Sequence, residues 1–152
     1  PIIIMHMQNE PKNMQVNPKY SFAPIDIYKF FSKKIIDLVD AGIKKSNIVV
    51  DPGIGFGKTL CDNLNIFKYL PLFHGLGVPI LIGASRKSLI SELTIHDYKL
   101  RGKNKKKIIP SKRLSGSLAF AIHANMCGVQ ILRTHDVFDT NQALICQKSV
   151  NL

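Results

Sequence analysis

The chain has 152 residues, 45% of them apolar, and carries a net charge of +11 from 21 basic and 10 acidic side chains, which is enough for one globular domain with a real core. It contains no run of about 18 uncharged apolar residues and shows no signal peptide, so we expect no membrane association and a cytoplasmic location. Three cysteines, Cys61, Cys127 and Cys146, form no C-x-x-C pair, which argues against a disulfide framework or a zinc knuckle.

Residues 2–7 read as an apolar strand. Such a strand needs neighbours on both sides, and because it follows Pro1 directly, the chain is expected to lack one of them. Pro24 opens an amphipathic helix marked by Ile27, Phe30, Phe31, Ile35, Leu38 and Val39 and closed near Gly42. Residues 47–50 form a second, β-branched strand. Pro52 cannot continue a central ladder, so Asp51 is placed where that strand ends. Glycines at 53, 55 and 57 then let the backbone turn tightly and approach a ligand.

A lone carboxylate followed by a glycine-rich loop reads as a small-molecule site, and two phosphate-loop readings of it fail. Pro52 stands where a Walker A loop needs glycine and has no N–H for a phosphate, and Lys58 stands where the dinucleotide fingerprint needs its third glycine. The bland alternative is a plain strand-to-helix turn.

Further along, helices are expected over 63–72 and 86–93, with a strand over 79–83 between them. A basic segment follows, with Arg101, Lys103, Lys105, Lys106 and Lys107, then Lys112 and Arg113. It has no interleaved aromatics for base stacking, so it reads as a solvated loop and no nucleic-acid partner is expected. A Ser/Gly/Ala-rich helix over 115–127, a strand over 130–134 and a helix over 140–147 complete the chain.

Strands alternating with helices imply right-handed βαβ units and a parallel sheet. The count is four βα units, which fits a small open sheet or half of a (β/α)8 barrel, a fold of about 250 residues. Each strand carries chemistry at its C-terminal end: Met5, Met7 and Gln8, then Asp51, then Ser85, Arg86 and Lys87, and last Arg133, His135 and Asp136. In a barrel these ends converge on one face.

Arg133 and His135 are two residues apart and can point the same way, making a cradle for phosphate or pyrophosphate with backbone amides, although Arg-x-His taken alone fits a core histidine beside a surface arginine equally well. Asp51 can accept two hydrogen bonds from an amino-pyrimidinone edge. Buried and unpaired it would be costly, so a ligand or a cationic partner is expected. Lys87 can reach a ring carbonyl or nitrogen of the same ligand, and Phe56 can stack on it or anchor the loop to the core. His6, His74, His96 and His123 lack metal-ligand spacing and are taken as structural.

The stretches IIIMHMQNEPKNMQ, DPGIGFGKT with a following Asn63, PILIGASRKS, RLSGSLA and RTHDV stand in an order and spacing that resemble the dihydropteroate synthases. The resemblance covers essentially all of residues 1–152 as one domain, the last four βα units of a parallel (β/α)8 TIM barrel, the C-terminal half. It implies condensation of 6-hydroxymethyl-7,8-dihydropterin pyrophosphate with p-aminobenzoate to 7,8-dihydropteroate plus pyrophosphate.

Carried over by residue, Asp51 and Lys87 would hold the pterin ring in a slot lined by Met5 and Gly83. Ser85, Arg86 and Phe56 would flank p-aminobenzoate, and Arg133 with His135 would hold the pyrophosphate. No side chain is needed as a nucleophile. Magnesium is implied, its ligand lying on the family's first strand, so no metal ligand is expected within this chain. A homodimer through the last helices is also implied. A pterin-binding methyltransferase barrel and an inactive pterin-binding half-barrel are the alternatives. The segment HDYKLRGKNKKKIIPSK is longer and more basic than the family leads us to expect, and is taken as an extended loop that leaves the site untouched.

Overall fold

The computed structural model describes residues 1–150 apart from Asn9, Pro11, Asn13 and Gln15. Helix α1, Ala23–Asp40, starts at Pro24, and the Asp26 carboxylate turns back to accept from the Ser21 and Phe22 N–H groups (2.8 and 3.1 Å). Its buried stripe is Ile27, Phe31 and Ile35 at four-residue spacing, while Val39, expected on the same stripe, is exposed. Phe31 meets Phe73 and Phe30 edge-on within the core.

Strand β1, Ile2–Met5, pairs in parallel with β2, Ile48–Asp51, in the register Ile2 with Ile48 through Met5 with Asp51. All four residues of β2 are buried, as a central parallel strand requires. Asp51 is therefore the last residue of the strand rather than the first beyond it. A parallel bridge from Val50 to Ile80, with the Val50 N–H donating to the Pro79 carbonyl (3.0 Å), leads to β3, Leu81–Ile82. β3 pairs in parallel with β4, Ile131–Leu132. The order β1-β2-β3-β4 follows the chain without reversal, so the switch-point crevice of a doubly wound sheet has no counterpart among the described residues.

Helices α2, Leu60–Lys68, α3, Ser88–Leu100, α4, Leu114–Met126, and α5, Val137–Ser149, fill the connections. α2 starts three residues earlier than the apolar spacing indicated, because Thr59 and Asp62 form a reciprocal capping box. It ends at Lys68, and Pro71 then lies in a separate 3-10 turn, Leu70–Leu76. α3 runs seven residues past the expected end, taking in half-polar sequence until Gly102, at φ +67°, closes it by donating to the Lys99 carbonyl. The extra basic segment is thus partly helix. No helix among the described residues is long and apolar enough to cross a membrane.

Candidate functional site

The glycine loop is organised from beneath. Asp51 is 1% exposed, and its Oδ1 accepts from the Gly53 N–H (2.8 Å) while Oδ2 accepts from Arg133 Nη2 (2.8 Å). The cationic partner demanded by a buried carboxylate is therefore Arg133, brought from β4 across β3. Gly83 leaves room for the crossing, a Cβ there lying 2.8 Å from Arg133 Nη2. On the outer side Asn63 Oδ1 accepts from the Gly55 N–H (2.8 Å), and the Tyr20 hydroxyl donates to the Gly57 carbonyl (2.8 Å).

Lys58 ties this loop to the end of β1. Its buried ammonium donates to the carbonyls of Phe56 (2.9 Å), Gly53 (3.0 Å) and His6 (3.2 Å) and lies 3.1 Å from His6 Nδ1. Burial draws the Lys58 pKa from 10.5 down to about 7, against the upward pull of Asp51 and Asp62. Burial, with the Lys58 charge beside it, likewise draws His6 from 6.5 down to about 4.

The His6 shift makes stability acid-sensitive. Unfolded, the ring gains its proton near pH 6.5, whereas folded it resists until about pH 4. The unfolded chain therefore binds more protons across that window. The contribution is complete above pH 6.5 and is lost as the pH falls to about 4. It is of order 3 kcal/mol at 1.4 kcal/mol per pKa unit. Denaturant titrations of the wild type and His6→Gln should diverge in acid slope across this window, and parallel slopes would remove His6 as the cause.

At the ends of β3 and β4, Ser85 Oγ lies 2.9 Å from His135 Nδ1 and accepts the His135 N–H (3.2 Å). This Ser/His contact was not expected from sequence. It straps the two strand ends together. Lys87 Nζ sits 3.8 Å from the centroid of the Phe56 ring, a cation–π contact, and burial and Arg133 lower its pKa. Arg86 adopts φ +57°, a left-handed conformation that costs an L-residue roughly 1–2 kcal/mol. Its guanidinium pairs with Asp136, Nε to Oδ2 at 3.1 Å and Nη2 to Oδ1, and holds that carboxyl below its usual pKa.

Together these groups bound a cleft of about 360 Å³ lined by Met5, Phe56, Gly83, Ser85, Lys87, Arg133, Thr134 and His135. Seven of the nine residues singled out from sequence line it, Asp51 lies beneath it through Arg133, and Arg86 turns aside to Asp136. A larger apolar cavity of about 590 Å³, between α2, α3 and α4, contains none of them. Thr134 carries no signal in the sequence as a lining residue, whereas His6, taken as structural, and Asn63, which follows the glycine-loop motif, both support the loop together with Lys58. The signal for Lys58 lies in the same glycine loop, two of whose carbonyls its ammonium caps. Asp51 and Asp136 are both engaged by guanidinium groups. Among the described residues no three His, Cys, Asp or Glu side chains converge.

Over residues 1–135 the sequence matches the family described as pterin binding enzyme. It is 41% identical over 144 residues to the dihydropteroate synthase of Escherichia coli, covering 95% of this chain and 47% of that protein. The solved dihydropteroate synthase of Yersinia pestis in a sulfonamide drug complex is similar at TM-score 0.87 and 38% identity, over 99% of this chain and 51% of that one. The enzyme of Xanthomonas albilineans in complex with 7,8-dihydropteroate is similar at TM-score 0.83 and 35% identity, over 99% of this chain and 50% of that one. The chain spans about half the length of the curated relatives it matches.

Proposed function

The chain belongs to the pterin-binding enzyme family, and from that membership we propose that it supplies the C-terminal half of a dihydropteroate synthase barrel, as a single domain over residues 1–152. The complete protein would join 6-hydroxymethyl-7,8-dihydropterin pyrophosphate to p-aminobenzoate, in the cytoplasm, releasing pyrophosphate. The observation that carries this reading is the convergence of Lys87, Arg133 and His135 from two strand ends on one cleft, with Asp51 at the end of a third strand paired to Arg133 beneath it. The likeness to a neighbour holding 7,8-dihydropteroate, which contains both pterin and p-aminobenzoate portions, supports it. Ile3 on β1 is 55% exposed and Ile131 on β4 is 37% exposed, which fits two outer strands with further staves beside them. Val137, Phe138 and Ile145 leave α5 with an exposed apolar surface suited to a homodimer contact.

In this reading Asp51 accepts the amino-pyrimidinone edge of the pterin and Lys87 donates to the ring, with Met5 and Gly83 lining the slot. Phe56 and Ser85 border p-aminobenzoate, and Arg86 closes that side through its pair with Asp136. Departure of pyrophosphate separates an anion from an electron-poor pterin methylene. Arg133 and His135 stabilise that anion, while the cleft holds the arylamine nitrogen in line for attack. The amine then loses a proton to solvent or to the departing anion. Magnesium, when bound, would neutralise pyrophosphate charge from residues outside this chain.

The test is pyrophosphate release by the full-length protein with and without p-aminobenzoate, and release that ignores p-aminobenzoate contradicts the reading. Arg133→Ala should weaken binding of the pterin pyrophosphate by tenfold or more. It should weaken binding of the pterin without pyrophosphate less, through the loss of Asp51's partner. Calorimetric titration with both ligands checks this, and equal losses would contradict the assignment.

A further inference from the structure

The substrate turn at Ser85–Lys87 is held by a residue outside the cleft. Arg113, immediately before α4, is 6% exposed. Its Nη1 donates to the Arg86 carbonyl (2.7 Å), while Nε and Nη2 donate to the Ile108 carbonyl (2.9 and 2.6 Å). The Arg86 N–H donates to Ser117 Oγ (2.9 Å), and that hydroxyl donates to the Arg113 carbonyl (2.9 Å). Both backbone polar groups of Arg86 are thus held by one assembly. Ile108 is itself fixed, its N–H donating to Ser91 Oγ on α3 (2.8 Å). The basic segment, expected to leave the site untouched, is tied at its far end to the turn.

Arg86 is in the left-handed region at φ +57°, where a non-glycine residue persists only if its surroundings hold it. A planar guanidinium can bridge two carbonyls on diverging chain segments; an ammonium carries the same charge without that fork. We propose that Arg113 is the positioning residue of the substrate turn, holding Arg86 left-handed so that Ser85 and Lys87 face the cleft and coupling the 101–109 segment to that geometry. This inference rests on the reading of the turn as part of the p-aminobenzoate and pterin site.

Arg113→Lys, Arg113→Ala and Ser117→Ala in the full-length protein, each with its melting temperature, both KM values, kcat and a crystal structure, test the inference. Arg113→Lys should raise the KM for p-aminobenzoate tenfold or more in protein that remains folded, and Arg86 should leave the left-handed region. Millimolar guanidinium should restore the KM of Arg113→Ala where ammonium does not. A merely structural role would lower the melting temperature and leave KM unchanged in the folded fraction. If the Arg113 variants do not fold, a raised p-aminobenzoate KM in Ser117→Ala supports the inference and an unchanged one overturns it. Wild-type KM values in folded Arg113→Lys, or Arg86 still left-handed in its crystal, would also overturn it. Loss of the synthase reading would show separately, as wild-type protein without p-aminobenzoate-dependent release, and the conformation of Arg86 in Arg113→Lys or Ser117→Ala would then still decide the positioning claim.

Discussion

Asp51→Ala in the full-length protein should weaken pterin binding by about 2 kcal/mol or more, since a buried charged hydrogen-bonding group is lost while its partners stay behind. The structure sharpens the expectation. Asp51 holds the Gly53 N–H on one oxygen and Arg133 on the other, so alanine both removes the proposed pterin acceptor and releases the cation that crosses β3. Asp51→Asn separates the two effects. Its amide oxygen can still accept from Gly53 and keep the loop closed, but it cannot pair with Arg133 as a charge. Titration with a pterin lacking pyrophosphate should rank wild type above Asp51→Asn and Asp51→Asn above Asp51→Ala. Equal affinity in all three would remove Asp51 from the pterin site.

Gly53→Ala should be the most damaging single methyl addition near the site. Gly53 has φ +70°, and a Cβ there would fall 2.0 Å from the His6 carbonyl oxygen, an immovable backbone atom in the strand-end connection. The loop would have to rebuild, which breaks the Gly53 N–H bond to Asp51 and displaces the Gly53 carbonyl from Lys58. With the left-handed strain added, we expect a loss of about 3 kcal/mol or more in unfolding free energy. Activity should be lost in whatever fraction stays folded. Gly42→Ala is the matched control: it too is left-handed, at φ +89°, but a Cβ there meets nothing within 4 Å. It should cost only the backbone strain and leave activity intact. Similar denaturation midpoints and activities for the two variants would show that the contact with His6 does not organise the loop.

The two predictions share a physical basis. The cleft is built from Lys87 and Arg133, with the His135 ring beside them, around one buried carboxylate, and like charges crowded together repel unless something holds them apart. Asp51 holds Arg133, the Phe56 ring lies under Lys87, and Ser85 pairs with His135. A pyrophosphate entering this cleft meets positive groups already oriented, so little reorganisation is needed when its charge develops as a leaving group.

The alternation of strands and helices, the placement of chemistry at strand ends and the family resemblance are all legible in the amino-acid sequence. These depend on local pattern: β-branched runs, Pro24 at a helix start, glycines in the 53–57 loop and motif order. The sequence left the limits of α2 and α3 open, because the Thr59–Asp62 capping box and the Gly102 stop outweighed apolar spacing there. The partners of the charged groups came from the folded arrangement alone. That Asp51 is neutralised by Arg133, 82 positions away, follows from β4 lying beside β3 and from the space left by Gly83. That Lys58 braces the glycine loop, and that Arg113 reaches the carbonyl of Arg86, likewise required folded neighbours. A side chain's charge is written in the chain, but the acceptor that satisfies it is chosen by packing, since a buried ion persists only where the fold brings its partners within hydrogen-bond reach.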